Sequence, residues 1–236
     1  MDADGQPTAG EREVSLPAVG GEGEQLLGDL AVPEGAHGLV VFAHGSGSSR
    51  RSSRNRWVAG QLQRVGLATL LMDLLSEEEG RLDARTAQLR FDIDFLVRRI
   101  LGVIDWLPED AETRSLPFGL FGASTGAAAA LGAAAHRPEV TRAVVSRGGR
   151  PDLAGADLSG VRAATLLIVG GQDTDVLGLN REAAERLSAT HEIHIVDGAT
   201  HLFEEPGALD EVADVAADWF RRRLGGGSTA PPSTMS

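Results

Sequence analysis

One serine stands between two glycines in the run Gly122-Ala123-Ser124-Thr125-Gly126, inside an apolar stretch that begins at Phe118 and ahead of an alanine-rich segment. A serine hydroxyl is a weak nucleophile at neutral pH and gains reactivity from a base in contact with it, itself oriented by a carboxylate. Where GxSxG joins a strand to a helix, the tight turn strains the central residue, and side chains two positions to either side would collide unless absent. The turn also aims the hydroxyl away from the sheet and leaves the Thr125 N–H at a helix N-terminus, where it can stabilise an anion. In a chain with 30 glycines a bare GxSxG arises easily by chance, so strand, helix, base and acid must all be found around it. Together they would perform acyl transfer through the serine.

Six histidines are candidate bases. His37 precedes a strand in a polar turn, His136 ends the helix after the serine, and His191 and His194 belong to the last strand or its entry; each reads as a surface or packing residue. His44 sits in HGSG, directly after a buried strand. His201, in VDGATHLFEEPG, follows the last strand and precedes the last helix, on the same sheet edge as Ser124, and is the best base. The acid belongs at the end of the preceding strand. There LLIVGGQDTDVLGLN supplies Asp173 behind two glycines, with Asp175 as its rival two residues on. Asp173 is favoured; Asp175 reads otherwise as a helix cap or surface residue.

These residues need a frame, and the apolar pattern supplies one. Short runs rich in Val, Leu and Ile recur at 38–45, 67–73, 118–124, 142–149, 164–171 and 191–198, most of them continuously apolar as in strands buried on both faces of a parallel sheet. Between them lie helix-period segments: Leu89, Ile93, Leu96, Ile100, Ile104 and Leu107 predict a helix over 86–107, and Leu209, Val212, Val215, Trp219 and Phe220 another over 207–224. Weaker strands near 12–18 and 24–32 predict an antiparallel edge. The alternation implies a mostly parallel sheet with helices on both faces, in which ligands bind beyond the carboxyl ends of the strands. No stretch between strands is long enough for a large cap domain.

Composition bounds the setting. The 236 residues, 42% of them hydrophobic, suit one large α/β domain over 12–224, with a flexible N-terminus over 1–11 and a disordered tail, GGGSTAPPSTMS, over 225–236. The absence of cysteine excludes disulfides, thiolate chemistry and cysteine-bound zinc. The acidic N-terminus lacks a signal-peptide pattern and no apolar run reaches the roughly 18 residues of a membrane span, so a cytoplasmic protein with no membrane partner is expected. A net charge of −12 repels nucleic acid. The basic cluster Arg50, Arg51, Arg54 and Arg56 lacks interleaved aromatic stacking residues and reads as a solvated loop and helix start, with no nucleic-acid partner.

From about residue 12 to 224 the chain resembles the α/β-hydrolases, and within them the compact dienelactone-hydrolase-like group. The matches are VVFAHGSGSS after the third strand, GASTG at the elbow, GGQD after the penultimate strand and GATHLFEEPG at the histidine loop, with Ser124, Asp173 and His201 in the chain order of that fold. The resemblance implies the α/β-hydrolase fold and an oxyanion hole made by the backbone N–H groups of Ser46 and Thr125, with His44 shaping the loop rather than acting as a base. It implies no metal and no organic cofactor. In one respect the chain departs: dienelactone hydrolases use a cysteine nucleophile where this chain has Ser124, so dienelactone is not carried over as the substrate. The elbow residue is not aspartate either, which argues against haloalkane dehalogenase or epoxide hydrolase chemistry.

The activity expected is that of a serine carboxylesterase taking a small-molecule ester through an acyl-enzyme. An acyltransferase or amidase on the same triad stays open, as does a ligand- or partner-binding protein on the same scaffold; the intact set of nucleophile, acid and base weighs against the last. Oligomeric state is not legible. Arg147 and Arg150, in VVSRGGRPD, follow a central strand and are candidates to pair, with the arginines at 50–56, with a carboxylate or phosphate on the substrate; ion pairs to Asp and Glu explain them as well. The run SEEEGRLD, 76–83, reads as a solvated loop whose place after a strand could put it on the pocket rim.

Overall fold

All five residues of β3 (Leu39–Ala43) and β4 (Ala68–Met72), and all six of β5 (Phe118–Ala123), are buried. Their near-unbroken apolar character is what a strand covered on both faces requires. In the computed structural model, which describes residues 10–21 and 25–225, these strands form the middle of one eight-stranded sheet in the order β1-β2-β4-β3-β5-β6-β7-β8. The others are β1 (Glu11–Pro17), β2 (Gln25–Ala31), β6 (Thr141–Arg147), β7 (Ala164–Gly170) and β8 (His191–Val196). Strands β3 to β8 run parallel, whereas β2 pairs antiparallel with both β1 and β4, giving the expected antiparallel edge. Most of the flexible N-terminus and tail expected from composition lies outside the described residues.

Two apolar layers cover the sheet. On one face, α1 (Ser53–Arg64) and α6 (Ala208–Leu224) bury Val58, Leu62, Val212, Trp219 and Phe220 against Phe42, Phe121 and Val145. On the other, α3 (Ile93–Trp106), α4 (Thr125–His136) and α5 (Thr174–Arg186) pack Ile100, Val103, the α4 alanines and Ala183 against Val41, Leu120 and Leu167. Helix α4 is buried from Thr125 through Ala134, and its small side chains are what let a helix lie so deep behind the central strands. Because the chain leaves β3 in one direction to β4 and returns on its other side as β5, a crevice opens beyond the carboxyl ends of β3 and β5, the position where such sheets hold ligands.

Two sequence expectations are corrected. The run read as a solvated loop at 76–83 is mostly helix, α2 (Glu77–Thr86). Ser76 accepts from the Glu79 N–H at 3.2 Å while the Glu79 carboxylate accepts from the Ser76 N–H at 2.8 Å, a capping box whose S-x-x-E pattern was present in the sequence. The helix expected over 86–107 accordingly begins only at Ile93. Ala87 takes a left-handed conformation that ends α2, Leu89 falls in a short 3-10 turn, and the Asp92 side chain caps α3 by accepting from the Phe95 N–H at 3.0 Å.

Candidate active site

Ser124 is the turn between β5 and α4, with φ 52° and ψ −120°. A non-glycine residue in that region is strained, and the strain is held by the surroundings. Its N–H donates to the Arg147 carbonyl at 3.2 Å, and its own carbonyl accepts from the N–H groups of Ala127 at 3.1 Å and Arg150 at 3.2 Å. The flanking glycines are required by contact: a Cβ on Gly122 would stand 2.3 Å from Ala127 Cα, and one on Gly126 would stand 2.3 Å from the His44 carbonyl oxygen. The elbow is therefore pressed directly against the end of β3.

The loops after β7 and β8 are sewn together at the same carboxyl edge of the sheet. Gly171 N–H donates to the Val196 carbonyl at 2.9 Å and Gln172 N–H to that of Ala199 at 2.9 Å. This brings the two loops into register and places His201 Nδ1 2.7 Å from Asp173 Oδ2, across 28 residues of sequence. Asp175, the rival acid, lies exposed in the first turn of α5. The base loop is held on the elbow side as well: a Cβ on Gly148, one residue past β6, would lie 3.2 Å from the His201 carbonyl oxygen and 3.5 Å from its Cε1. Two residues beyond His201, Phe203 accepts a left-handed φ of 56° and buries its ring under α6, which anchors the loop. The remaining histidines are engaged elsewhere: His136 with the Gly132 carbonyl, His191 with that of Ala189, His194 with Glu211, and His37 beside Gly66.

His44 is buried and does not face outward as a base. Leu74 N–H can only donate, so it fixes His44 Nε2 as the acceptor at 3.0 Å, and Nδ1–H donates to the Gly45 carbonyl at 2.9 Å. Burial pushes the imidazole below its ordinary 6.5, against the raising effects of that carbonyl and of Asp73. The neutral ring thus braces the HGSG loop to the end of β4. Ser46 is exposed on that loop, and Thr125, the first residue of α4, is buried with an N–H that has no acceptor within its helix. Both line a cleft of about 960 Å³, together with Leu27, Leu74, Leu96 and residues of α2, a size suited to a small-molecule ligand.

The arginines divide differently from the sequence reading. Within the cluster at 50–56, Arg51 is exposed and Arg54 and Arg56 open α1, as expected, but Arg50 is not solvated. Arg50 is only 5% exposed and donates to Asp29 at 3.1 Å, Asp73 at 3.0 Å and Glu13 at 2.6 Å, while Arg56 meets Asp29 at 2.5 Å. These bonds tie the loop after β3 to β1, β2 and the end of β4. Arg150 touches the site through its backbone, since its guanidinium is held by Asp152 with two contacts of 2.8 Å. Arg147 is buried at the end of β6 beside Ala123.

The fold is that of the α/β-hydrolases. The dienelactone hydrolase family model matches residues 27–224, and the chain belongs to that family. A crystal structure of a dienelactone hydrolase from Anabaena variabilis is 54% identical, with a TM-score of 0.88 over 91% of this chain and 98% of that one. Proteins of two Mycobacterium tuberculosis strains, CDC 1551 / Oshkosh and H37Rv, provisionally named phosphoribosyl transferases, are 53% identical over 226 residues, 96% of this chain and 49% of theirs. The chain spans about half the length of these curated relatives. The fold alone extends to Est1E of Butyrivibrio proteoclasticus, 14% identical with a TM-score of 0.74 over 91% of this chain and 99% of that one.

Proposed function

We propose that the chain is a serine hydrolase of the carboxylesterase type, with Ser124 as nucleophile, His201 as general base and Asp173 as the carboxylate that orients it. The observation that carries this reading is the His201–Asp173 contact of 2.7 Å, with the His201 loop lying against Gly148, next to the Arg147 carbonyl that holds the strained Ser124 turn. With Nδ1–H donated to Asp173, Nε2 is the nitrogen that accepts the Ser124 proton as Oγ attacks the carbonyl carbon of the ester. The C–O bond to the alcohol then breaks, and the alcohol leaves with the proton returned by His201. Water, deprotonated by the same nitrogen, attacks the acyl-enzyme, and collapse of the second tetrahedral intermediate frees Oγ. The N–H groups of Ser46 and Thr125 hold the oxyanion in both steps. Replacing water by another alcohol or by an amine would turn the same cycle to acyl transfer, and an amide in place of the ester would make it an amidase.

The phosphoribosyl transferase name of the mycobacterial relatives belongs to proteins about twice this span, and the acyl-transfer reading rests on the elbow instead. Hydrolysis of short p-nitrophenyl esters by the wild type, Ser124→Ala and His201→Ala tests it. Turnover by the wild type alone is expected; equal rates in all three would overturn the assignment.

A further inference from the structure

Among the described residues three arginines are buried: Arg50, Arg99 and Arg147. Arg50 has three carboxylates, and Arg99 pairs with Glu79 and stacks on the Phe95 ring at 4.5 Å. Arg147 is 9% exposed, its Nη1 is buried without a hydrogen-bond partner, and the charge acting on it is that of another cation, Arg54. Burial and Arg54 push its guanidinium down to about 10, so it remains charged at neutral pH. Among the described residues no carboxylate forms an ion pair with this cation, in a chain whose net charge is −12. An unpaired buried charge is costly to the fold, and it persists where a ligand supplies the counter-charge.

The position points to the reacting centre. Arg147 lies beside Ala123, and its carbonyl holds the Ser124 N–H. Strand alternation turns its side chain to the face of Ala143 and Val145, toward α1 and the Phe203 ring. Arg54 is in the first turn of α1; its Nη1 donates to Glu204 at 3.0 Å, three residues beyond His201, and its Nε is buried without a partner. The two guanidiniums therefore act on one another, Arg147 from the strand beside β5 and Arg54 from its bond to the base loop. A carboxylate is satisfied by one guanidinium fork, whereas a phosphate group carries up to two charges and three acceptor oxygens, matching a pair.

We propose that Arg147 and Arg54 seat a phosphate group of the substrate, so that the ester opened at Ser124 belongs to a phosphorylated small molecule. The word substrate rests on the serine-hydrolase reading; the anion seat does not. Calorimetric titration with inorganic phosphate at low ionic strength, with acetate in parallel, is run on the wild type, Arg147→Met and Arg54→Gln. Phosphate is expected to bind the wild type, to bind Arg147→Met about tenfold to a hundredfold more weakly, and to bind Arg54→Gln more weakly than wild type. Acetate should bind far less well than phosphate.

No binding to the wild type, or equal binding to Arg147→Met, overturns the seat, and acetate binding as tightly as phosphate overturns its assignment to phosphate. Thermal melting separates a binding role from a structural one. Removing an unpaired buried cation should raise the melting temperature of Arg147→Met by about 2–6 °C, while a fall in melting temperature with phosphate binding retained would mark Arg147 as a fold residue. In p-nitrophenyl acetate hydrolysis, phosphate should raise KM and leave kcat unchanged; a fall in kcat alone would contradict its place beside Ser124. A wild type that binds phosphate yet turns over no ester would remove the hydrolase reading and leave the seat standing.

Discussion

Arg50 and Arg147 are both almost wholly buried, at 5% and 9% exposure, on opposite sides of the Ser124 turn. Arg50 is closed into a network with Asp29, Asp73 and Glu13, and together with the His44 brace it fixes the loop that carries Ser46. Arg147 has no carboxylate partner among the described residues, and the charge that acts on it is that of Arg54. One flank of the elbow is thus satisfied within the protein, and the other is left unsatisfied next to the proposed chemistry. The same side chain at similar depth serves as frame where its hydrogen bonds close internally and as a receptor where they do not.

This division orders the substitutions. Ser124→Ala, at the elbow itself, should lower ester hydrolysis by about 10⁴-fold or more with the melting temperature retained, as read by steady-state kinetics beside calorimetric melting. On the closed flank, Arg50→Met leaves the buried carboxylate of Asp29 and the carboxylate of Asp73 short of a partner. It should cost about 3–5 kcal/mol in urea unfolding; a loss well under 1 kcal/mol would show the network to be idle. On the open flank, Arg147→Met should change stability in the opposite direction, a gain of about 1–3 kcal/mol, and two losses of equal size would erase the comparison.

The smallest effect concerns His44. Its pKa is lowered on folding, so the unfolded chain binds more protons below 6.5, and stability is present above that pH and is lost as pH falls through it. The ring should therefore contribute a loss of stability that grows as pH falls below 6.5. His44→Gln, which keeps an acceptor but cannot titrate, should lack that part of the slope in urea midpoints measured against pH.

Much of the site was legible because it rests on short-range rules. The elbow needs glycines within two residues of Ser124, and contact with Ala127 and the His44 carbonyl bears that requirement out. The central strands announce themselves by unbroken apolar runs. What sequence could not decide depends on distant segments meeting. Asp173 and Asp175 differ by two residues, and only the hydrogen bonds from Gly171 and Gln172 to the loop after β8 select the one that faces His201. Arg50 looked solvated because its partners lie 21 to 37 residues away in three other segments. Helix α2 was a different case: its capping box was readable, but its acidic run and weak apolar period hid it.

The most direct measurement is labelling of the folded protein by a fluorophosphonate, followed by mass spectrometry of the intact chain and its peptides, on the wild type, His201→Ala and Ser124→Ala. One adduct on Ser124 in the wild type is expected, with labelling slowed sharply in His201→Ala and absent in Ser124→Ala. A folded wild type that stays unlabelled, or an adduct on another residue that survives Ser124→Ala, would contradict the assignment of Ser124 as the activated nucleophile.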